Sequence, residues 1–557
     1  MLLSWLARTL ELGLGLNSSI PRCKCMPGDL CWPNRDEWAA FNATVGGHLI
    51  ATVSLASPCH DPHFDDGACE KLQQEWLLPP IHFQSSSSVM APLFANQSCD
   101  PFTLRNMTCT LGNYVSYAVD VSGPRDIVAT LQFARRRNIR FVIRNTGHDY
   151  SGRSTGAGAL AVWTHHLKDT QILDWHDKHY SGKALKLGAG VQGFEALAAA
   201  KEAGLVVLTG ECVSVGVAGG YTQGGGHSAL SSVFGLAADN TLEFEVVTAR
   251  GDLVTASRTK NADLYWAFSG GGGGVFGVVV SMTVRAHPDA MVSGAQLTVT
   301  ADDPEKLFAT VDAFHAALPA IVDAGVMVIY VFAADSFQVP ALTAYNKTQD
   351  DVQRILEPFS TALRNLGVVL SVAYTEFDSY HDHYAHYWGP APAGNIEVGT
   401  QLFGGRLIPR AVLPSFGPTA RALAEMGVTF IGVGLNVSRY GGANAVLPQW
   451  RSSITHAALT LPYRFDVPIE KMRARQDRIT REVQPLIEAA TPGAGAYMNE
   501  ADFQQRDFQD VFFGVNYPRL FAIKRRYDAE GLLYAVAGVG SEQWTVSHNG
   551  RMCRKVS

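Results

Sequence analysis

Cysteine is distributed very unevenly along this chain of 557 residues. Seven of the nine cysteines fall within the first 110 residues, and the other two are Cys212 and Cys553. Such crowding indicates disulfide stapling, which persists in an oxidising compartment. Nine is odd, so one cysteine is left over if the others pair, and Cys212 is the natural odd one because it lies far from the rest. The sequence does not choose among the many pairings of the other eight.

Acceptor sequences for N-glycosylation are interleaved with these cysteines. One is at Asn17, and we predict glycans at the other five, Asn42, Asn96, Asn106, Asn346 and Asn436. Together with the cysteines they predict a protein that is secreted or resides in the secretory pathway. The alternative is a cytosolic enzyme with buried free thiols.

Apolar runs and net charge limit the partners that the chain can have. The first 16 residues are apolar but interrupted by Arg8 and Glu11, which makes a poor signal peptide and too short a membrane span. The later run at 325–334 is long enough only for a buried strand. A net charge of −6 leaves no basic footprint for nucleic acid or anionic lipid. We therefore expect a small-molecule partner, with no nucleic acid and no membrane span.

Changes in composition and in hydrophobic periodicity divide the chain into four parts. Residues 1–110 predict a Cys-rich extension, and 111–292 alternate short apolar runs with helical patterns, as α/β units do. Residues 293–505 have longer strands and strong helices, typical of a second domain, and 506–557 return to short motifs. Helices are predicted at 124–138 and 193–204, the latter capped by Gly204, and others open at Asp303 and Thr348.

Three glycine-rich segments could bring bare backbone close to a planar or phosphorylated ligand. They are RNTGHDYSGRSTGAG around His148, GECVSVGVAGGYTQGGGHS at 210–228 and FSGGGGGVFGVV from Phe268. Gly272, Gly274 and Gly277 match the G-x-G-x-x-G pattern, but a strand-like run follows where a dinucleotide-binding turn needs a helix. A packing or bulge role is the alternative for these three glycines.

These segments, with NYPRL at 516–520, occur in an order that resembles the berberine-bridge-enzyme-like branch of the vanillyl-alcohol-oxidase (VAO)/p-cresol-methylhydroxylase (PCMH) flavoproteins. The resemblance covers most of the chain. It is strongest to fungal enzymes related to isoamyl alcohol oxidases and to FAD-linked oxidases of secondary metabolism. It implies an α+β fold, with a two-part PCMH-type FAD-binding domain and a substrate domain made of an antiparallel sheet and flanking helices. The segment 506–557 would return to the FAD domain.

The resemblance implies FAD attached at two positions, with His148 bonded to the 8α-methyl carbon and Cys212 to C6. The nine cysteines would then be four disulfides plus one. A free imidazole and a thiolate are needed, so we expect a positive or amide-rich surrounding, with Arg144 and the amides of 216–220 as candidates. The alternative is that these are ordinary exposed turn residues. The other cofactor-binding candidates are Asn145, Thr146, Gly147, Asp149, Tyr150, Gly216, Gly219, Gly220, Gly226, His227, Gly272, Gly274, Gly277, Asn516 and Tyr517.

The resemblance also implies an oxidase. In relatives, the residue three positions after the attached cysteine controls oxygen access to the flavin, and a small aliphatic residue there, Val215 in this chain, accompanies O2 as acceptor and H2O2 as product. A dehydrogenase is the alternative. The expected substrate is a small-molecule alcohol or secondary metabolite. A carbohydrate oxidase, or a flavin-retaining protein with weak or no catalysis, are the other hypotheses.

The catalytic base must lie within about 3 Å of the reacting hydroxyl. The stretch YMNEADF at 497–503 resembles a strand of plant relatives in which a tyrosine base follows an asparagine; Asn499 is kept, and Glu500 stands in the tyrosine's place. A buried carboxylate with a raised pKa could serve. Tyr497 and Asn516 are lesser candidates. Strand alternation would place Tyr497 and Asn499 on one face and Glu500 on the other.

The segment YHDHYAHYW carries His381, His383 and His386. It lacks the pair at i and i+4 that binds zinc on a helix, so we predict no metal site there. An aromatic pocket loop, or a lid over the substrate, is the expected role.

Overall fold

The computed structural model describes residues 23–301 and 303–555. The apolar N-terminus and the acceptor at Asn17 lie outside the described residues. Among those described, no helix combines the length and apolar character that crossing a bilayer requires. The Cys-rich part contains α1 (Arg35–Thr44), β1 (Leu49–Ala51), α2 (Asp66–Glu75), α3 (Pro79–Phe83) and α4 (Pro92–Ala95).

A first, four-stranded sheet presents the segment that contains His148. This part of the chain contains β2 (Tyr117–Asp120), α5 (Pro124–Arg136), β3 (Phe141–Arg144) and β4 (Leu160–Trp163). The strand order is β1-β2-β4-β3, with β2 and β3 parallel to β4. His148 lies in the turns directly after β3, so a buried strand fixes where that loop begins.

A second, antiparallel sheet has the order β5-β6-β10-β8-β9. The elements of this part are β5 (Thr170–His176), β6 (Ser181–Gly188), α6 (Gly193–Lys201), β7 (Leu205–Val206), α7 (Ser231–Phe234), β8 (Thr241–Val247), β9 (Leu253–Ser257), α8 (Ala262–Phe268), β10 (Val278–Arg285) and β11 (His287–Pro288). Strand β10 follows the third glycine segment directly, which confirms that this segment is not a dinucleotide-binding turn.

A third sheet has seven antiparallel strands in the order β15-β12-β14-β13-β17-β18-β16. Its part of the chain runs through β12 (Val292–Thr300), α9 (Pro304–Asp323), β13 (Met327–Phe332), β14 (Phe337–Tyr345), α10 (Gln349–Leu366), β15 (Val369–Phe377), α11 (Tyr380–Trp388), β16 (Gln401–Pro409), α12 (Gly417–Glu425), β17 (Thr429–Gly434) and β18 (Ser453–Pro462). Apolar side chains of α9, α10 and α12 form one core with this sheet. The α+β class and the antiparallel sheet with flanking helices are confirmed.

The opposite face of this sheet shares a core with the second sheet. Met327, Leu407 and Val433 pack there in one core with apolar side chains of β6, β8 and β10. The last elements are α13 (Ile469–Arg478), α14 (Gln484–Ala490), α15 (Tyr517–Tyr527), β19 (Trp544–Val546) and β20 (Met552–Arg554). The candidate site lies along this shared core.

The cysteines pair as the crowding indicates. Four disulfides join Cys23 to Cys553, Cys25 to Cys31, Cys59 to Cys69 and Cys99 to Cys109, and Cys212 is the free cysteine. The first bond ties the start of the described chain to its last strand, β20. Stapling and the odd thiol at Cys212 are confirmed.

Local signals at helix starts are confirmed, whereas the two predicted helix ends are shifted by two or three residues. Asp303 caps α9 through the backbone N–H of Lys306, and Thr348 forms a capping box with Asp351 at the start of α10. Helix α6 ends at Lys201, so the predicted cap at Gly204 is displaced, although Gly204 has the φ of +67° that a chain reversal uses.

The His-rich segment forms helix α11, so the expected pocket loop is wrong. Ser379 caps this helix by accepting from the backbone N–H of Asp382. His383 is buried and bonds the Thr343 hydroxyl at 2.9 Å, whereas His381 is part-exposed beside Lys201. These two imidazoles therefore have separate structural partners.

Candidate active site

The structure brings His148 and Cys212 together. The Nε2 of His148 is 2.8 Å from the Ser214 hydroxyl and 4.0 Å from the Cys212 sulfur. Cys212 lies in a turn that Val215 closes by donating from its backbone N–H to the Cys212 carbonyl. Two nucleophilic atoms from segments 64 residues apart thus stand side by side.

The two groups differ in how readily they lose a proton. Burial, together with the nearby His82 and Arg144, lowers the pKa of His148 to about 3, so the imidazole is neutral with a free lone pair. Burial raises the pKa of the Cys212 thiol, and Glu211 and Glu500 raise it further, against hydrogen bonds from Ser214. Burial and the two nearby glutamates therefore disfavour the thiolate form of Cys212.

The positive surrounding that we expected for Cys212 is consequently wrong. Arg144 is fully buried, and its guanidinium donates to the carbonyls of His82 and Ser85. Its charge acts on His148 and not on the thiol. The amide-rich alternative is closer to the structure, because a backbone hydrogen bond from Ser214 favours the thiolate.

Backbone without side chains lies beside the His148 and Cys212 side chains. It comes from Gly220 in one glycine segment and from Gly273 and Gly274 in another, called here the glycine cradle. A methyl group added at Gly220 would meet nothing closer than the Asn499 amide oxygen at 4.0 Å, and one at Gly273 would meet the Gly220 Cα at 3.2 Å. Gly274, with φ of +79°, has comparable space. Side chains here would fill the room that a flat aromatic ligand needs.

Unpaired polar atoms adjoin the cradle. Within residues 23–301 and 303–555, the Asn145 amide oxygen and the Gln223 amide oxygen are buried without a hydrogen-bond partner. The Asn145 side chain packs against Gly216, and a methyl group at Gly273 would lie 3.7 Å from the Gln223 oxygen. Buried acceptors of this kind are normally paired, so they fit a ligand that offers N–H donors, such as the isoalloxazine ring.

Other predicted cofactor residues have partners within the chain. Asp149 accepts from the backbone N–H groups of Ser151 and Arg153, and Tyr150 stacks on Phe403 with ring centroids 3.9 Å apart. Thr146 is buried. Gly147, Gly226 and Gly272 have φ between +71° and +95°, the region that glycine adopts without strain.

Three further predicted residues hold the sheet and the C-terminal segment. A methyl group at Gly277 would lie 2.5 Å from Val246, which supports the packing role for that glycine. Asn516 donates to the carbonyls of Ala445 and Val446 at 3.2 Å, and the Tyr517 hydroxyl accepts from the Gly540 N–H. Asn516 and Tyr517 form no hydrogen bond to His148, Cys212 or Glu500 among the described residues.

An acid–base network of four side chains lies beside the cradle. His227 is placed between two carboxylates, with Nδ1 3.3 Å from Glu211 and Nε2 3.1 Å from Glu500. The other oxygen of Glu500 is 2.9 Å from Nε2 of His456. The Tyr497 ring lies edge-on to both imidazoles at 5.3 Å. Glu500 has 27% of its side chain exposed, whereas His227 has 6% and His456 none, so Glu500 is the member that faces outward.

Burial and pairing fix the charges of this network. Burial alone would raise the pKa of Glu500, but His227 and His456 outweigh it and hold that pKa well below its usual range. Burial opposes the charge of His227, yet Glu211 and Glu500 raise its pKa well above 6.5. Burial lowers the pKa of His456. Glu500 is thus an ionised carboxylate between an imidazolium and a neutral imidazole, so the expected raised pKa of Glu500 is wrong.

The segment 497–500 is a turn and not the expected strand. The Glu500 N–H donates to the Tyr497 carbonyl at 3.0 Å, and the Asn499 amide donates to the Tyr497 hydroxyl at 2.9 Å and to the Gly220 carbonyl at 2.8 Å. The separation of faces that alternation predicts is therefore wrong. Asn499 links the glycine cradle to the turn that carries Glu500. Burial raises the pKa of Tyr497 far above its usual range, which makes its hydroxyl a poor base.

Sequence reasoning missed His456, Glu211 and Ser214. His456 is fully buried in β18, where the strand otherwise has small and apolar residues, and a lone histidine in such a run was the available signal. Glu211 and Ser214 flank Cys212, but nothing in the sequence says which way they point. The ligand atoms of His227, His456 and Glu500 also lie within 4.8 Å of one another, as in a cation site, yet each imidazole is already paired with a Glu500 oxygen.

Comparison with known proteins gives consistent matches. Residues 115–257 match an FAD-binding domain and residues 496–540 match the family described as berberine and berberine like. The FAD-linked oxidoreductase ZEB1 of Gibberella zeae is 52% identical over 98% of this chain and 97% of its own. The FAD-linked oxidoreductase patO of Penicillium expansum is 44% identical over 99% and 98%.

A solved structure matches nearly the whole chain. The crystal structure of the VAO-type flavoprotein MtVAO615 from Myceliophthora thermophila superposes with a TM-score of 0.93 at 42% identity, covering 96% of this chain and 100% of the other. A glucooligosaccharide oxidase from Acremonium strictum matches with a TM-score of 0.63 at 19% identity, which shows a shared fold.

Proposed function

The chain belongs to the berberine-bridge-like, VAO-type family of FAD-linked oxidoreductases, and on that premise we propose that it is an oxidase of a small-molecule alcohol that uses O2 and releases H2O2. It is an FAD-dependent oxidoreductase. The observation that carries the proposal is the convergence of His148, Cys212 and ionised Glu500 around one glycine cradle. Bound FAD would supply the acceptor for the two electrons that leave the substrate as a hydride.

The proposed attachment of FAD uses the two adjacent nucleophiles. His148 would bond the 8α-methyl carbon and Cys212 would bond C6, positions on the same edge of the ring system. A 4.0 Å separation of the nitrogen and sulfur, and the neutral state of His148, support this assignment. Gly219, Gly220 and Gly274 would leave room for the ring, and Asn145 would offer it an unpaired buried acceptor.

Glu500 is the proposed proton acceptor. Its two oxygens each receive one imidazole N–H, so each keeps a lone pair, and the carboxylate is part-exposed for a substrate hydroxyl to donate to it. A carboxylate of low pKa is a weak base toward an alcohol. It suffices here because a hydroxyl becomes strongly acidic as the hydride leaves its carbon and a carbonyl forms. His227 keeps the carboxylate ionised and in place until then.

We propose that Val215 governs oxygen entry and that the protein works in the secretory pathway or outside the cell. Its place in the Cys212 turn and its half-buried side chain support this role for Val215. The four disulfides support an oxidising compartment. Asn106 and Asn346 are exposed and suit N-glycans, whereas the amide of Asn436 is held by Asp323.

Peroxide release tests the reaction. Purified protein is mixed in air with primary and secondary alcohols, oligosaccharides and polyketides, and H2O2 is measured against substrate consumed. We expect equal amounts of H2O2 and oxidised product with an alcohol of the first or last group. Bleached flavin that stays bleached in air would show a dehydrogenase. Peroxide with oligosaccharides alone would show a carbohydrate oxidase.

Removing one attachment atom tests the role of Cys212. In Cys212→Ala, we expect acid-precipitated protein to stay yellow, because His148 still holds the flavin, while the absorbance typical of a sulfur at C6 disappears. The double variant with His148→Ala should give a colourless pellet. His166→Ala, at an imidazole whose side chain is 51% exposed, is the control and should resemble the wild type. A colourless pellet from Cys212→Ala alone would contradict the bond at His148.

A further inference from the structure

We infer that residues 76–90 of the Cys-rich extension, called here the support segment, hold the loop of His148 in the position that its bond to FAD requires. The segment contributes no atom to the bond, so its members are positioning residues. The inference rests on the proposed covalent attachment and adds a function for the extension. It predicts that weakening the support segment impairs the bond at His148 and spares the bond at Cys212.

The first contact is made through Arg144, the last residue of β3. Its guanidinium is fully buried and donates to the His82 carbonyl at 2.9 Å and to the Ser85 carbonyl at 2.7 and 3.2 Å. Charge-assisted bonds from a rigid planar fork define both distance and direction. The end of the strand that precedes His148 is therefore fixed to the support segment.

The second contact is made at Gly147, the residue before His148. The Met90 N–H donates to the Gly147 carbonyl at 3.0 Å. A methyl group at Gly147 would lie 2.8 Å from the Ser88 carbonyl, and the φ of Gly147 is +91°. Only glycine fits so close an approach in this conformation. The loop is thus held at two points, both within the four residues that precede His148.

The support segment is braced by its own histidine. The His82 imidazole is buried, which lowers its pKa to about 4 and keeps it neutral. Its Nε2 is 2.7 Å from the Trp76 carbonyl, so that nitrogen carries the proton, and Nδ1 accepts from the Ser88 hydroxyl at 2.8 Å. One ring therefore links the start of the segment to the residue that touches Gly147.

Disulfides anchor the support segment on both sides. Cys59–Cys69 precedes it and Cys99–Cys109 follows it, and Trp76 packs in one small core with Ala56 and Cys99. This arrangement gives the crowded cysteines a physical purpose, since covalent staples keep the segment rigid where its own hydrophobic core is small.

The turn of Cys212 is held by a different part of the molecule. Gln192 donates to the Ser214 carbonyl at 2.7 Å, and Gly193 donates from its N–H to the Val215 carbonyl. Within the described ranges, no hydrogen bond joins 76–90 to 210–216. The two attachment points therefore have separate supports, which is why we expect a selective effect.

The test compares two serines of one run in freshly purified holoprotein. Ser88→Ala removes the hydroxyl that bonds His82, and His82→Leu removes the brace itself. Ser86→Ala is the matched control, since Ser86 is also buried but forms no hydrogen bond to His82, Arg144 or Gly147 among the described residues. Mass spectrometry of tryptic peptides gives the share of His148 and of Cys212 that carries flavin, and melting temperatures report folding.

We expect histidyl-linked flavin to fall to about a tenth of the wild-type share in Ser88→Ala or His82→Leu, because a misplacement of about 1 Å slows a reaction by up to about 100-fold. The cysteinyl bond should stay at the wild-type level, and Ser88→Thr should restore the histidyl bond. Two results would overturn the inference: both variants with a full share of histidyl flavin, or equal loss of both bonds at an unchanged melting temperature. Wild-type protein without either bond would instead refute the proposed attachment.

Discussion

Glu500→Gln is expected to lower kcat by about 100- to 10,000-fold with the alcohol identified by peroxide release, the range for loss of a positioned proton acceptor. The amide keeps the size of the carboxylate but cannot take the substrate's proton. It also places an N–H₂ group where one of the imidazole donors now points. The flavin should remain attached, since Glu500 does not touch either attachment atom through a hydrogen bond.

Glu470→Gln is the matched control for this experiment. It makes the same substitution at a side chain that is 73% exposed on α13, away from the cradle. Its kcat should equal that of the wild type. A kcat for Glu500→Gln within about threefold of the control would remove Glu500 from the reaction, given the much larger effect expected of such a group.

His227→Gln is expected to lower the free energy of unfolding by about 3 kcal/mol, the lower end of the effect of leaving a buried charge unpaired. Without the imidazolium, Glu211 and Glu500 face each other across a neutral amide in a nearly dry environment. Adding Glu211→Gln removes one of the two carboxylates and should recover much of the loss. Denaturant unfolding of the wild type, the single variant and the double variant measures this coupling.

The decrease in free energy of unfolding caused by His227→Gln should depend on pH. The pKa of His227 is raised above 6.5 in the folded protein, so its contribution is complete below pH 6.5 and disappears as pH rises through the raised pKa. The pKa of Glu500 is lowered below 4.5, so its contribution is complete above pH 4.5 and disappears as pH falls. The difference in free energy of unfolding between wild type and His227→Gln should therefore be largest between pH 4.5 and pH 6.5. A difference that does not change with pH would contradict the assigned charges.

The sequence predicted the fold class and several local elements because their signals are local. The capping box of α10 and the amphipathic face of α5, with Ile127 and Leu131 buried, depend on residues three or four positions apart. The odd cysteine was also predictable, since Cys212 is isolated in a glycine-rich segment. The family resemblance added the pairing of His148 with Cys212, which no spacing rule could supply.

The acid–base network was beyond such reasoning because its members come from three distant segments, of which one carries both Glu211 and His227. Glu211, His227, His456 and Glu500 meet only once the third sheet packs on the second. The pKa of Glu500 was misjudged for the same reason: burial was foreseen, but the two imidazoles that outweigh it were not. The turn at 497–500 was expected to be a strand because it resembles a strand of plant relatives. Tertiary contacts of Asn499 decide its conformation instead.

Mass spectrometry of the unreduced, freshly purified protein after trypsin digestion tests the central claim most directly. The account predicts one species in which the peptide of His148 and the peptide of Cys212 are joined through a single FAD. Recovery of both peptides at their unmodified masses would contradict it.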